Sequence, residues 1–109
     1  MKVKHFPDLI TSLPPFAGPF DAHQLNASNC AVLFASYPAG TEIEPHTPAT
    51  ENRSVITAGE LILVVDEQES RYGPGDWYHL LPNKVHAARF EVETSEIEFW
   101  FDAGTPADQ

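Results

Sequence analysis

From residue 31 to residue 101 the chain is a series of short apolar runs, most of them alternating apolar and polar with a period of two, and separated by turn signals. Alternation of this kind is the signature of β-strands, because successive side chains leave a strand on opposite faces. The pattern predicts strands over 31–37, 41–46, 51–57, 60–65, 70–72, 77–81, 85–91 and 97–101. Between them stand Pro38-Ala-Gly40, Ala58-Gly59, a polar turn over 66–69, Gly73-Pro-Gly75 and Pro82-Asn83-Lys84, all combinations that turn a chain. No window carries about 12 residues of clean 3.6-residue periodicity, so helix is expected in less than about a tenth of the chain. Eight short strands with regular turns indicate an all-β sandwich or small barrel of two facing antiparallel sheets.

Period two also assigns faces. Ile97, Phe99 and Phe101 share one side of the last strand and are expected in the core, which puts Glu96, Glu98 and Trp100 outside. His86, Ala88 and Phe90 share a face, as do Glu51, Arg53 and Val55, and Glu42, Glu44 and His46.

The length, 109 residues, suits a single domain. Residues 1–30, rich in Pro and Gly, read as an extended N-terminal arm with one or two short strands. Residues 31–101 read as the barrel and 102–109 as a polar tail. The formal net charge of −10 argues against nucleic acid and against an anionic membrane surface, since both demand basic residues. Cys30 is the only cysteine, which removes an internal disulfide and a thiolate metal cluster. There is no leader-like apolar segment and no run near the roughly 20 apolar residues of a membrane span, so a cytoplasmic protein is expected. A homodimer is expected too, because the arm cannot form a core alone and an open sandwich leaves sheet edges to cover.

The chemistry-bearing residues cluster around the glycines. His46, Glu51 and His86 lie in separate predicted strands. Two imidazoles and one carboxylate can hold a divalent ion, Zn, Fe, Mn or Ni, while leaving positions open for a small-molecule substrate. His79, Arg53 and Tyr37 are candidates for the wall of such a site or for acid–base work. Each also has a plain structural reading: His79 as a strand residue beside Trp77, Arg53 as the ion-pair partner of Glu51, and Tyr37 as a core aromatic. Cys30 reads as a small buried residue, and His5 and His23 as bystanders.

These spacings resemble the two motifs of the cupin superfamily. Gly40 is followed by five residues and His46, position 48 is where the first motif has its second histidine, and Glu51 and Gly59 complete that motif. Gly75-Asp76 leads to His86 as in the second motif, with Leu81 in a proline slot and Asn83 in a glycine slot. Asn83 can take the left-handed conformation which that slot requires. Two departures matter. Pro48 replaces a ligating histidine, and Asn52 occupies the stricter glutamate position, seven before Gly59. The resemblance implies a double-stranded β-helix, or jelly-roll, cupin barrel with a metal inside its mouth. It implies His46, Glu51 and His86 as ligands, with Glu44 or Asn52 as replacements for the one lost at Pro48. Dioxygenases, isomerases and lyases share the fold, as do small single-domain barrels without assigned function. Two functions therefore stand at this point: a metal-dependent enzyme on a small molecule, and a non-catalytic ligand-binding or sensing barrel with a degenerate metal site.

Overall fold

Three glycines set the corners of the molecule. In the computed structural model Gly40, Gly59 and Gly75 have φ of +90°, +85° and +87°, in the left-handed region that side chains disfavour. The described residues are 6–18, 21–47 and 49–101. The predicted tail, His5 and Pro48 lie outside them.

A one-turn helix α1 (Asp8–Thr11) precedes nine strands: β1 (Asp21–Asn26), β2 (Cys30–Tyr37), β3 (Thr41–His46), β4 (Glu51–Ala58), β5 (Leu61–Val65), β6 (Gln68–Tyr72), β7 (Trp77–Leu80), β8 (His86–Phe90) and β9 (Thr94–Phe101). They form a five-stranded sheet, order β1-β2-β9-β4-β7, and a four-stranded sheet, order β3-β8-β5-β6. Every strand pairing is antiparallel. The all-β jelly-roll expectation is met. The segment read as an arm supplies β1, which adds an edge to the larger sheet through its full length. No described helix is long and apolar enough to cross a membrane.

The turns follow their residues. Asp66 and Glu67, with φ of 53° and 66°, form a two-residue hairpin between β5 and β6, so the strand begins at Gln68, inside the stretch read as turn. Both central residues are left-handed, which is the twist that two-residue hairpins favour. Asn83 has φ of 63°, the conformation expected of it in a glycine slot.

The core lies between the sheets. Leu33, Ala35, Ile56, Leu61, Leu63, Leu80 and Phe90 are buried there, and the ring of Tyr37 stacks on Phe90 at 4.1 Å between centroids. The outer face of the five-stranded sheet carries apolar side chains as well. Phe99 stacks with Trp77 there at 6.1 Å, and Phe34 meets Phe6 edge-on at 5.7 Å.

Gly59 separates two kinds of glycine. A Cβ at Gly59 would collide with the Glu93 carbonyl and lie 2.7 Å from Cα of Thr94, whereas one at Gly40 or Gly75 would meet nothing within 4 Å. Gly40→Ala and Gly75→Ala should each cost about 1–2 kcal/mol, the penalty of the left-handed backbone. Gly59→Ala should cost more than about 2 kcal/mol, because backbone must also move. Urea unfolding of the three variants checks the order.

Candidate functional site

Between the sheets lies a cavity of about 540 Å³, within the usual range for a small-molecule site. Its most unusual lining comes from β9, the middle strand of the larger sheet. Glu96 and Glu98, expected outside, point inward and are only 2% and 6% exposed. Trp100 lines the cavity with them, and Ile97, Phe99 and Phe101 take the outer face. The predicted faces of this strand are therefore reversed. The physical reason is that β9 is paired on both edges, by β2 and by β4, and is covered on both faces. Alternation alone cannot tell which side of such a strand is the interior. Register fixes it: Glu96 sits between Ala35 and Ile56, and Glu98 between Leu33 and Ser54, residues already committed inward.

The buried acids are held by designated donors. The Tyr37 hydroxyl donates to Oε2 of Glu98 at 2.6 Å, and the indole nitrogen of Trp100 donates to Oε1 at 2.9 Å. The Tyr78 hydroxyl donates to Oε1 of Glu96 at 2.5 Å. Burial raises the Glu96 pKa well above the usual carboxylate range, and the neighbouring Glu98 charge raises it further. Burial also raises Glu98, but hydrogen bonds from Tyr37, Glu96 and Trp100 work against the rise. Glu96 is thus the member of the pair that holds its proton to the higher pH. Both tyrosines are pushed well above their ordinary value, first by burial and then by the two acids, so they remain donors.

The two motif histidines meet at the exposed end of the same cavity. The rings of His46 and His86 are 4.2 Å apart, inclined at 61°. Strict alternation would separate His46 from the inward-facing Ile43, but β3 has an irregular register between Ile43 and His46, which brings His46 opposite His86. That irregularity breaks the predicted common face of Glu42, Glu44 and His46. Nδ1 of His46 contacts the Glu44 carbonyl at 3.1 Å, and Nδ1 of His86 the Lys84 carbonyl at 3.4 Å. A carbonyl only accepts, so each contact favours the Nδ1–H tautomer and leaves Nε2 as the lone pair. Burial, then proximity to His46, lowers the His86 pKa.

The expected third ligand is elsewhere. Glu51 is on the outer face of β4, where it accepts from Arg53 at 3.3 Å and meets Nε2 of His79 at 2.6 Å. Glu51, Arg53 and His79 form a surface cluster, and none of them lines the cavity. Of the other candidates, Tyr37 is a wall residue as well as a donor, and Glu44 is at the exposed rim. Asn52 points inward as the glutamate position of the motif should, but its Oδ1 already accepts from Thr50 at 2.6 Å. Among the described residues no three His, Cys, Asp or Glu side chains stand close enough to hold one ion. Two imidazoles fall short of the three or four protein ligands of a resident catalytic or structural ion, so the set does not fit one.

No known family model matches the chain, and no curated protein sequence is similar to it. Solved structures do match. An RmlC-like cupin from Shewanella frigidimarina superposes with a TM-score of 0.75 at 19% identity, over 94% of each chain. A cupin superfamily protein from Desulfitobacterium hafniense gives 0.71 at 15% identity, over 93% of this chain and 98% of that one. A conserved Streptococcus pyogenes protein of unknown function gives 0.73 at 14% identity, over 96% and 93%. The likeness shows the cupin fold.

The raised Glu96 pKa carries a stability signature. The folded state holds this proton more tightly than the unfolded chain, so the contribution is complete below about pH 4.3, the ordinary glutamate value. It is lost as pH rises towards the folded pKa, at about 1.4 kcal/mol per pH unit. His86 acts with the opposite sign, losing stability as pH falls below about 6.5. Glu96→Gln, which mimics the neutral acid, removes only the first effect. Relative to the parent, its stability should improve by more than about 1 kcal/mol between pH 5 and pH 8 in urea unfolding. An unchanged difference would contradict the buried, protonated acid.

Proposed function

We propose that this cupin-fold chain is a small-molecule-binding barrel whose metal site is degenerate: it takes one ligand between its sheets and holds no divalent ion tightly. The observation that carries this reading is the placement of Glu51. The residue that would turn His46 and His86 into a three-ligand set is engaged outside the barrel with Arg53 and His79. The cavity itself is of ligand size and is well built. Its walls include Leu61, Leu63, Phe90 and Trp100, and the polar groups around Glu96 and Glu98 are fixed in direction by hydrogen bonds. Apolar walls with a small number of aimed polar groups are the usual make-up of a small-molecule site.

The two histidines retain one role in this reading. With both Nε2 lone pairs available they can take a divalent ion weakly, the remaining positions being filled by water or by donors of the ligand. No step of a reaction is assigned to such an ion. The test is thermal and chemical unfolding with Mn(II), Fe(II), Ni(II) and Zn(II) at about 1 mM. A site occupied at 100 times its dissociation constant stabilises by about 2.7 kcal/mol, so every ion should give less than this. His46→Ala should abolish whatever shift is seen. A stabilisation of about 4 kcal/mol or more with any of the four, lost in His46→Ala, would restore the tight metal site and overturn the reading.

The proposal also takes two copies as the working unit and the cytoplasm as its place. Trp77, 58% exposed and stacked on Phe99, and the half-exposed Leu25 give the outer face of the larger sheet apolar surface, and β7 is an edge strand of that sheet. Light scattering should give about twice the 12.1 kDa chain mass, and Trp77→Glu should shift it towards the single chain. A single-chain mass for the parent at high concentration would count against the pairing.

A further inference from the structure

We propose that the cavity is a site for an organic cation, an alkylammonium with a short apolar body, whose charged group sits against Glu98 and Glu96. This rests on the reading of the cavity as a small-molecule site and names the class of molecule it takes.

The first argument is the missing counter-charge. Buried carboxylates are normally paired with a cation, because an isolated charge out of water costs several kcal/mol. Each Lys and Arg among the described residues is engaged at the surface with a different acid. Arg53 pairs with Glu51, Arg71 with Glu60 at 2.9 Å, Lys84 with Asp66 at 2.8 Å and Arg89 with Glu69 at 2.6 Å. None of the four lines the cavity, whereas Glu42 and Glu44 add further acid at its rim. The pair has hydrogen-bond donors on hand but no Lys or Arg among the described residues.

The second argument is an unused acceptor. Ser54 is 1% exposed and sits in register between Glu98 on one neighbouring strand and Tyr78 on the other. Its hydroxyl has no hydrogen-bond partner of good geometry, although it is close enough to Tyr78 to offset part of that group's rise in pKa. Buried hydroxyls are rarely left so. Glu98 has room as well. It accepts from Tyr37, Trp100 and Glu96, and a carboxylate can accept about four in all. A positively charged N–H donor matches the acceptor capacity that Glu98 retains in the cavity wall, with Ser54 behind the lining beside it.

The third argument is the wall. The rings of Tyr37, Phe90, Tyr78 and Trp100 all line the same space. Aromatic faces attract cations, and most of all where water is excluded. Carboxylate and phosphate ligands are disfavoured by the same acids, with no Arg or Lys among the lining residues to receive them.

The test is titration calorimetry on the full chain near neutral pH with three probes of one shape: hexylammonium, hexan-1-ol and hexanoate. Hexylammonium should bind at least about tenfold tighter than hexan-1-ol, and hexanoate should be weaker than both. Glu98→Gln should cost hexylammonium at least about tenfold while leaving hexan-1-ol unchanged. If that variant does not fold, the order of the three probes on the parent still decides the question. Hexan-1-ol binding as tightly as hexylammonium would overturn the cation site and leave the small-molecule reading standing. Tighter binding of hexanoate would do the same. Failure of all three probes to bind would overturn both.

Discussion

The hydrogen bonds from Tyr37 and Trp100 to Glu98, and from Tyr78 to Glu96, hold two acids where solvent hardly reaches. Without those donors the inward register of β9 would bury bare carboxyls, at a cost that would favour slipping the strand by one residue. The slip would turn Ile97, Phe99 and Phe101 inward and expose the glutamates. Much of the interior is arranged to prevent this. Ala35 and Ser54 are small where the glutamate side chains need space, and the Tyr37 ring is fixed against Phe90 so that its hydroxyl meets Glu98. Outside, Phe99 is satisfied by Trp77, so the apolar half of the strand needs no place in the core. Packing on one face and hydrogen bonding on the other thus select the same register.

The same cavity contains two polar centres with different histories in the sequence. At the exposed end, His46 and His86 are brought together by an irregularity in β3 and by the pairing of β3 with β8. Their geometry suits a metal pair, yet Glu51 looks outward from β4 and Pro48 has no side-chain donor. Deeper in, the acids on β9 and the tyrosines on β2 and β7 form a centre that requires no metal for its integrity. The cavity lining holds four glutamates and no Lys or Arg, in a chain of formal charge −10.

Much of the fold was legible because turns and alternation are local properties. The glycines at 40, 59 and 75, and Asn83, mark corners that the backbone does turn, and eight predicted runs fall on strands. The pairing of His46 with His86 followed from motif spacing. What could not be read was which side of a strand faces in. For β4 the error exchanges Glu51 and Arg53 for Asn52 and Ser54, and for β9 it exchanges the aromatics for the glutamates. Both strands are interior to a sheet that carries apolar and polar side chains on each of its faces, so period two gives the alternation without its sign. One signal was available. Two glutamates alternating with Ile97, Phe99 and Phe101 in one strand, with tyrosines elsewhere in the chain to donate, suit a buried acidic pair as well as a solvated face.

The central claim is that two carboxyls share the barrel interior and that burial holds the proton of one of them well above the ordinary carboxylate range. Carbon-13 NMR of the glutamate side chains, followed through a pH titration, tests it most directly. Of two resonances assigned by Glu96→Gln and Glu98→Gln, that of Glu96 should titrate well above the ordinary value of about 4.3 and that of Glu98 above it by less, the two moving together as coupled groups. In Tyr37→Phe the Glu98 resonance should titrate higher still, because a donor to its charged form is gone. Titration of every glutamate within about a unit of the ordinary value would show that these acids are solvated, and the inward register of β9 would be wrong.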